Sequence, residues 1–240
     1  MSDKKAELIV KQFDSLAAQR TNWESHWQEI GDYIIPRKAD INKARTQGDK
    51  RTELVFDGTA LHAAELLSAS LHGMLTNSST AWFSLRFRNA ELDSDDKAKE
   101  WLQSVEDVMY LAFSRSNFHE QVHELYHDLI TFGTAVMFIE SDPKYQLQFS
   151  TRHISECYLS EDEKGRVDTV YRKFKMPNRA VLQRFGEKVL STKRLAEIKD
   201  KPYEKTTLLH AVFPNDERDI TKVTNINKPF TSIYVDHEEK

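Results

Sequence analysis

The feature that most constrains this chain is a stripe near its start. Ile9, Phe13, Leu16, Arg20, Trp23, Trp27, Ile30 and Ile34 follow one another at spacings of 4, 3, 4, 3, 4, 3 and 4. On a helix of 3.6 residues per turn those side chains share one face. The spacing therefore predicts one long helix over residues 9–34, with Arg20 its only polar stripe member. The stripe would pack on its own core or serve as a seam against another helix. Pro36 predicts the end, because the residue before a proline avoids the helical region.

Residues 37–51 read as a polar loop. Arg37, Lys38, Lys43, Arg45, Lys50 and Arg51 stand against Asp40 and Asp49, with Gly48 for flexibility. A solvated connector is expected, with a local contact to phosphates or an acidic partner as the functional counterpart.

A second helix is expected after Asp57, its N-cap. Ala60, Ala63, Ala64, Leu67, Leu71, Met74 and Leu75 would be its buried face, and a turn follows at 77–79. Phe83, Leu85 and Phe87 alternate with Ser84, Arg86 and Arg88, as in a half-buried strand. Acidic residues at 93–96 suit the positive end of a third helix. Its apolar face would be Trp101, Leu102, Val105, Val108, Met109 and Ala112. Asn117 with Glu120 resembles a capping box and opens a fourth helix, stopped by Gly133. Val122, Leu125, Leu129 and Ile130 would line its core side.

Beyond residue 133 the period changes to that of strands. These are expected at 134–140, 145–151, 156–160, 167–174, 206–213 and 230–236, with short helices at 177–185 and 191–199. The turn at 161–165 should join two strands as a hairpin. The fold class is therefore α+β: N-terminal long helices followed by a mixed, mainly antiparallel sheet with short helices. Two regions are expected, 1–93 helical with a basic loop and one strand, and 94–240 α+β.

The chain has 240 residues, 39% hydrophobic and 30% charged, with a formal net charge of −4. That balance argues against a protein that wraps DNA through phosphates. The single Cys157 allows no intrachain disulfide and is expected to be half-buried in a strand. No stretch approaches the ~20 apolar residues of a membrane span, and the N-terminus lacks the apolar core of a signal peptide.

One pattern carries enzyme chemistry. His119, Glu120 and His123 match H-E-x-x-H, as do His123, Glu124 and His127 in an overlapping register. On a helix two His four apart can bind zinc while the Glu activates water. A third ligand is needed, and Glu140 and His153 are the nearby candidates. Both lie in or after strands, so an exposed His-rich helix face is the preferred reading. Phosphate-cradling, dinucleotide-binding and serine-hydrolase motifs are absent. The acidic run Glu161, Asp162 and Glu163 lacks EF-hand spacing.

Four blocks resemble the portal (head-to-tail connector) proteins of short-tailed phages. They are 20–30 with Tyr33, Ile34, Ile35 and Pro36; 56–60 with 71–77, Trp82 and Phe83; 116–118 with 124–129 and 132–135; and 165–172. In the third block the family-like residues are Glu124, Tyr126, Asp128 and the run Phe132, Gly133 and Thr134, not the three histidines.

The resemblance implies a portal wing-like fold in a structural ring subunit, dodecameric in that family, at the head–tail junction of the virion. DNA would pass through it without sequence-specific binding during packaging and ejection. The terminase motor, capsid or scaffolding proteins and tail proteins would attach to it, with assembly in the bacterial host cytoplasm. It implies no catalytic residue, no cofactor and no metal. Stem, clip and crown regions are expected to lie outside these residues, so that the chain reads as an N-terminal fragment. A zinc-dependent hydrolase using 119–127 and a head–neck adaptor are the alternatives.

Overall fold

The computed structural model describes residues 2–46, 48–89, 91–144 and 146–238. Its elements run α1 (Ser2–Gln19), α2 (Thr21–Ile34), α3 (Thr59–Leu75), α4 (Asp96–Arg115) and α5 (Phe118–Phe132). They continue β1 (Val136–Asp142), β2 (Gln146–Arg152), β3 (Cys157–Glu161), β4 (Val167–Pro177), α6 (Asn178–Phe185), α7 (Thr192–Asp200), β5 (Lys205–Pro214) and β6 (Phe230–Asp236). The α+β class holds. The sheet is not mixed, because every pairing among the described residues is antiparallel.

The chain packs as two compact units, 1–23 with 155–240 and the continuous segment 24–154.

The first unit is a four-stranded sheet in the order β3-β4-β5-β6. Alternation along β4 and β5 sends side chains to both faces, and both are covered. On one face Ile9, Val10 and Phe13 of α1 meet Tyr171, Leu209, Ala211 and Val235. On the other, Val181 of α6 and Ile198 of α7 meet Phe174 and Leu208. Cys157 is buried at the start of β3. The β3–β4 hairpin closes as expected. Gly165 has φ +70, and its N–H donates to the Asp162 carbonyl at 3.0 Å. The second unit has two apolar centres, one around Trp27, Ile35, Phe132 and Ile154, the other around Phe118, Val122 and Phe149.

Five local expectations fail, each for a physical reason. The single helix over 9–34 is two helices with a break at Arg20. Instead of continuing the apolar stripe, the Arg20 guanidinium donates to the carbonyls of Cys157 and Ser155 and lies 3.5 Å from the Tyr158 ring centroid. Trp23, also on the stripe, is 57% exposed. The helix does end before Pro36, which opens a short 3-10 turn.

The strand expected over 82–88 has no strand partner. The segment has no regular secondary structure, and α4 serves part of its backbone: the Tyr110 hydroxyl accepts from Trp82 and Phe83 N–H at 2.8 Å each and donates to the Phe83 carbonyl at 2.7 Å.

The capping box at Asn117 does not form. Its amide is drawn to β2, accepting from Phe149 N–H and donating to Phe149 C=O, each at 2.9 Å. Asp57 acts one residue outside the α3 cap, its carboxylate taking the Thr59 N–H at 3.1 Å. Finally, the apolar face expected for α3 is mostly not buried. Leu67, Met74 and Leu75 are 49%, 82% and 54% exposed, and Ser68 is the buried residue of that helix.

Candidate functional site

The residues of the double H-E-x-x-H lie on α5, in the second unit. Turns of the helix carry His119, His123 and His127 toward α3, as an i, i+4 series must. His119 Nδ1 is 3.4 Å from Nε2 of His72 on α3. The His72 ring lies 5.8 Å from that of His123. Glu65 of α3 sets one carboxylate oxygen 3.2 Å from His127 Nε2 and the other 4.0 Å from His123 Nε2. The expectation of an exposed His-rich face is thus corrected: His127 and Asp128 are buried, and His119, His123 and Glu124 are half-buried.

The carboxylate that would activate water in the second register has another role. Glu124 pairs with Lys38 at 2.5 Å and with Arg37 at 3.1 Å. Burial works against its charge, but the Lys38 hydrogen bond and the two cations outweigh burial and hold its pKa below the usual carboxylate range. Asp128 also accepts from Lys38. There burial wins over the pair and pushes the pKa up.

Neither proposed third ligand joins the motif. Glu140 sits in β1, and His153 Nε2 is 2.8 Å from the Lys38 carbonyl. Among the described residues no three His, Cys, Asp or Glu side chains converge as a metal site. The first register offers Glu120 on the exposed side of the helix. The arrangement does not assemble a zincin site.

The basic loop is not a solvated connector. Gln28 and Asp32, buried on α2, organise it. The Gln28 carbonyl oxygen accepts from Ile41 and Asn42 N–H at 3.0 Å each and from Lys43 N–H at 3.3 Å, while its amide donates to Ala39 C=O at 2.5 Å. Lys43 and Arg45 pair with Asp32 at 2.5 and 3.1 Å. Arg45 and Arg51 pair with Asp40 at 3.0 and 2.6 Å. Burial opposes the charge on both aspartates, yet hydrogen bonds from Lys43 and Arg45 at Asp32, and from Arg51 and Arg45 at Asp40, lower their pKa values. The acidic run at 161–163 is a turn: Asp162 Oδ1 accepts from Lys164 and Arg166 N–H at 2.8 and 2.9 Å.

Sequence reasoning missed Arg20, Gln28, Asp32 and Lys38 as organisers. Only Arg20 left a signal, a cation in an apolar stripe.

Chemistry of the surface does not define the protein; its whole length does. The model of the family described as bacteriophage head to tail connecting protein matches residues 6–240. The chain belongs to that family. It is 30% identical over 230 residues to a probable portal protein of Bordetella phage BPP-1, covering 95% of this chain and 41% of the relative. It is 30% identical over 240 residues to the portal protein of Salmonella phage epsilon15, covering 98% of this chain and 42% of that protein. The chain spans about two-fifths of the length of these curated relatives. In this chain the H-E-x-x-H repeats are part of a helix-packing surface, and the zinc-hydrolase alternative has no support.

Proposed function

We propose that the chain is part of a phage portal subunit, a structural component of the ring at the head–tail junction and not an enzyme. The observation that carries this is the family match over residues 6–240, with two portal proteins aligned along nearly the whole chain. In this reading the complete protein forms a closed ring through head-to-tail contacts between identical subunits, a dodecamer. The terminase motor, capsid or scaffolding proteins and tail proteins dock on it. Residues 94–240 would belong to its wing region. The ring stands at the portal vertex of the virion and is assembled in the host cytoplasm.

Internal neutralisation supports a channel component that does not grip DNA. Lys43, Arg45 and Arg51 pair with carboxylates of the same loop and of α2. With a net charge of −4, double-stranded DNA would slide past without sequence-specific binding. Negative-stain microscopy of the full-length gene product tests the reading, with rings expected. Monomers alone at micromolar protein would overturn it, and a mass measurement would separate a ring former from an adaptor that only binds one.

A further inference from the structure

A helix in a folded protein usually owes its place to an apolar face packed on the core. α3 departs from that. Leu66, Leu67, Met74 and Leu75 are 59%, 49%, 82% and 54% exposed, while Leu61, Ala64 and Leu71 are half-buried. Polar side chains of α3 meet α5: Glu65, Ser68 and His72, then Thr76 at its C-cap. Ser68 Oγ donates to the His123 carbonyl at 3.2 Å, and the Tyr126 hydroxyl donates to Thr76 Oγ1 at 3.4 Å. Glu65 faces His123 and His127. The His72 ring lies 5.7 Å from His119 and 5.8 Å from His123. The seam thus contains a cluster of three histidines.

We propose that His72, packed against His119 and His123, is an acid-sensitive latch, whose protonation loosens α3 from α5 while the rest of the unit keeps its fold. A positive charge on the half-buried His72 ring, set against two other imidazoles, is disfavoured in the packed seam. Near the cluster, α3 carries Glu65, which faces His123 and His127, and α5 carries Glu124, Asp128 and His127, with Glu120 on its exposed side. The turn after α2 presents Arg37 and Lys38, and α4 brings Asp107 to the cavity that His119 lines. Glu124 and Asp128 are engaged by Lys38 and Arg37. Glu65 bridges His123 and His127 and can neutralise one added charge.

Burial, then the nearby His119 and His123, lower the pKa of His72. Burial likewise lowers that of His127, with Glu65 opposing. A released α3 would return His72 to the ordinary value of about 6.5. Its contribution to the seam is therefore full above about pH 6.5 and is lost as the pH falls toward the lowered packed-state pKa.

Hydrogen exchange of the full-length protein at about pH 7.5 and about pH 5.5, corrected for intrinsic rates, tests the latch. Protection of peptides over 59–75 should fall about tenfold at the lower pH, relative to β1 and β2, since each proton preferred by the released state multiplies its population. The double variant His72→Gln, His119→Gln should lose that dependence. Unchanged α3 protection in the wild type, or an equal fall in the variant, would overturn the proposal. Should the variant not fold, the wild-type His72 ring can be titrated by NMR. A midpoint below that of an ordinary histidine supports the latch, and one at or above it rejects it.

Discussion

At the residue scale, buried charge does most of the organising. Lys38 is the partner of both Glu124 and Asp128, and Asp128 is 2% exposed. Removing one member of a buried pair leaves a charge without compensation, which costs more than the pair itself contributes. Lys38→Met should therefore destabilise the protein by about 3–5 kcal/mol in urea unfolding, whereas Lys38→Met with Glu124→Gln and Asp128→Asn should recover much of that loss. Equal stability for the single and triple variants would contradict the argument.

Asp32 and Asp40 set an acid limit in the same way. Their pKa values are lowered in the fold, so their contribution is present above the unfolded value of about 4 and lost as the pH drops through the folded one. Stability followed by denaturant midpoint should fall below about pH 4, and Asp32→Asn should flatten that part of the profile.

At the element scale, what matters is whether a segment's partner lies nearby in sequence. In segment 82–88 one hydroxyl, that of Tyr110, serves three backbone groups, and Glu106 accepts from the Leu85 N–H. Tyr110→Phe removes both acceptor and donor, so the Trp82 and Phe83 amides should exchange faster, with a loss of about 1–3 kcal/mol; unchanged exchange there would show that another contact holds the segment. Local chemistry is also what made some elements readable in advance. The α5 stop at Gly133 (φ +76), the cap of α4 by Asp95 and the hairpin around Gly165 follow from residues a few positions apart. The break at Arg20 does not, because the 4, 3 spacing continues across it and its carbonyl partners lie at 155 and 157. Asn117 has every mark of a cap, but Phe149 claims its amide. The H-E-x-x-H repeats were equally visible, yet their role depended on Glu65 and His72 from α3 and on Lys38 from the turn after α2.

At the scale of the whole molecule, the first unit is discontinuous. The sheet built from residues after 155 has one face closed by α1 from the start of the chain. Burying Ile9, Val10 and Phe13 contributes about 1.5–3 kcal/mol each, which together rivals the total stability of a domain, about 5–15 kcal/mol. α6 and α7 cover only the opposite face and cannot replace them. Deleting residues 2–14 should therefore expose Tyr171, Leu209, Ala211 and Val235 and abolish amide protection across β3–β6. The apolar centres of the 24–154 unit are formed by residues of that unit. Its peptides should stay protected in the same deletion variant. Loss of protection in both units together would mean that the chain folds as one cooperative body, and a sheet still protected would mean that α1 is dispensable. α1 is made before the sheet it covers, and its binding face is complete only once β6 has emerged. Closure of this unit is thus the long-range, late step expected of non-local β packing.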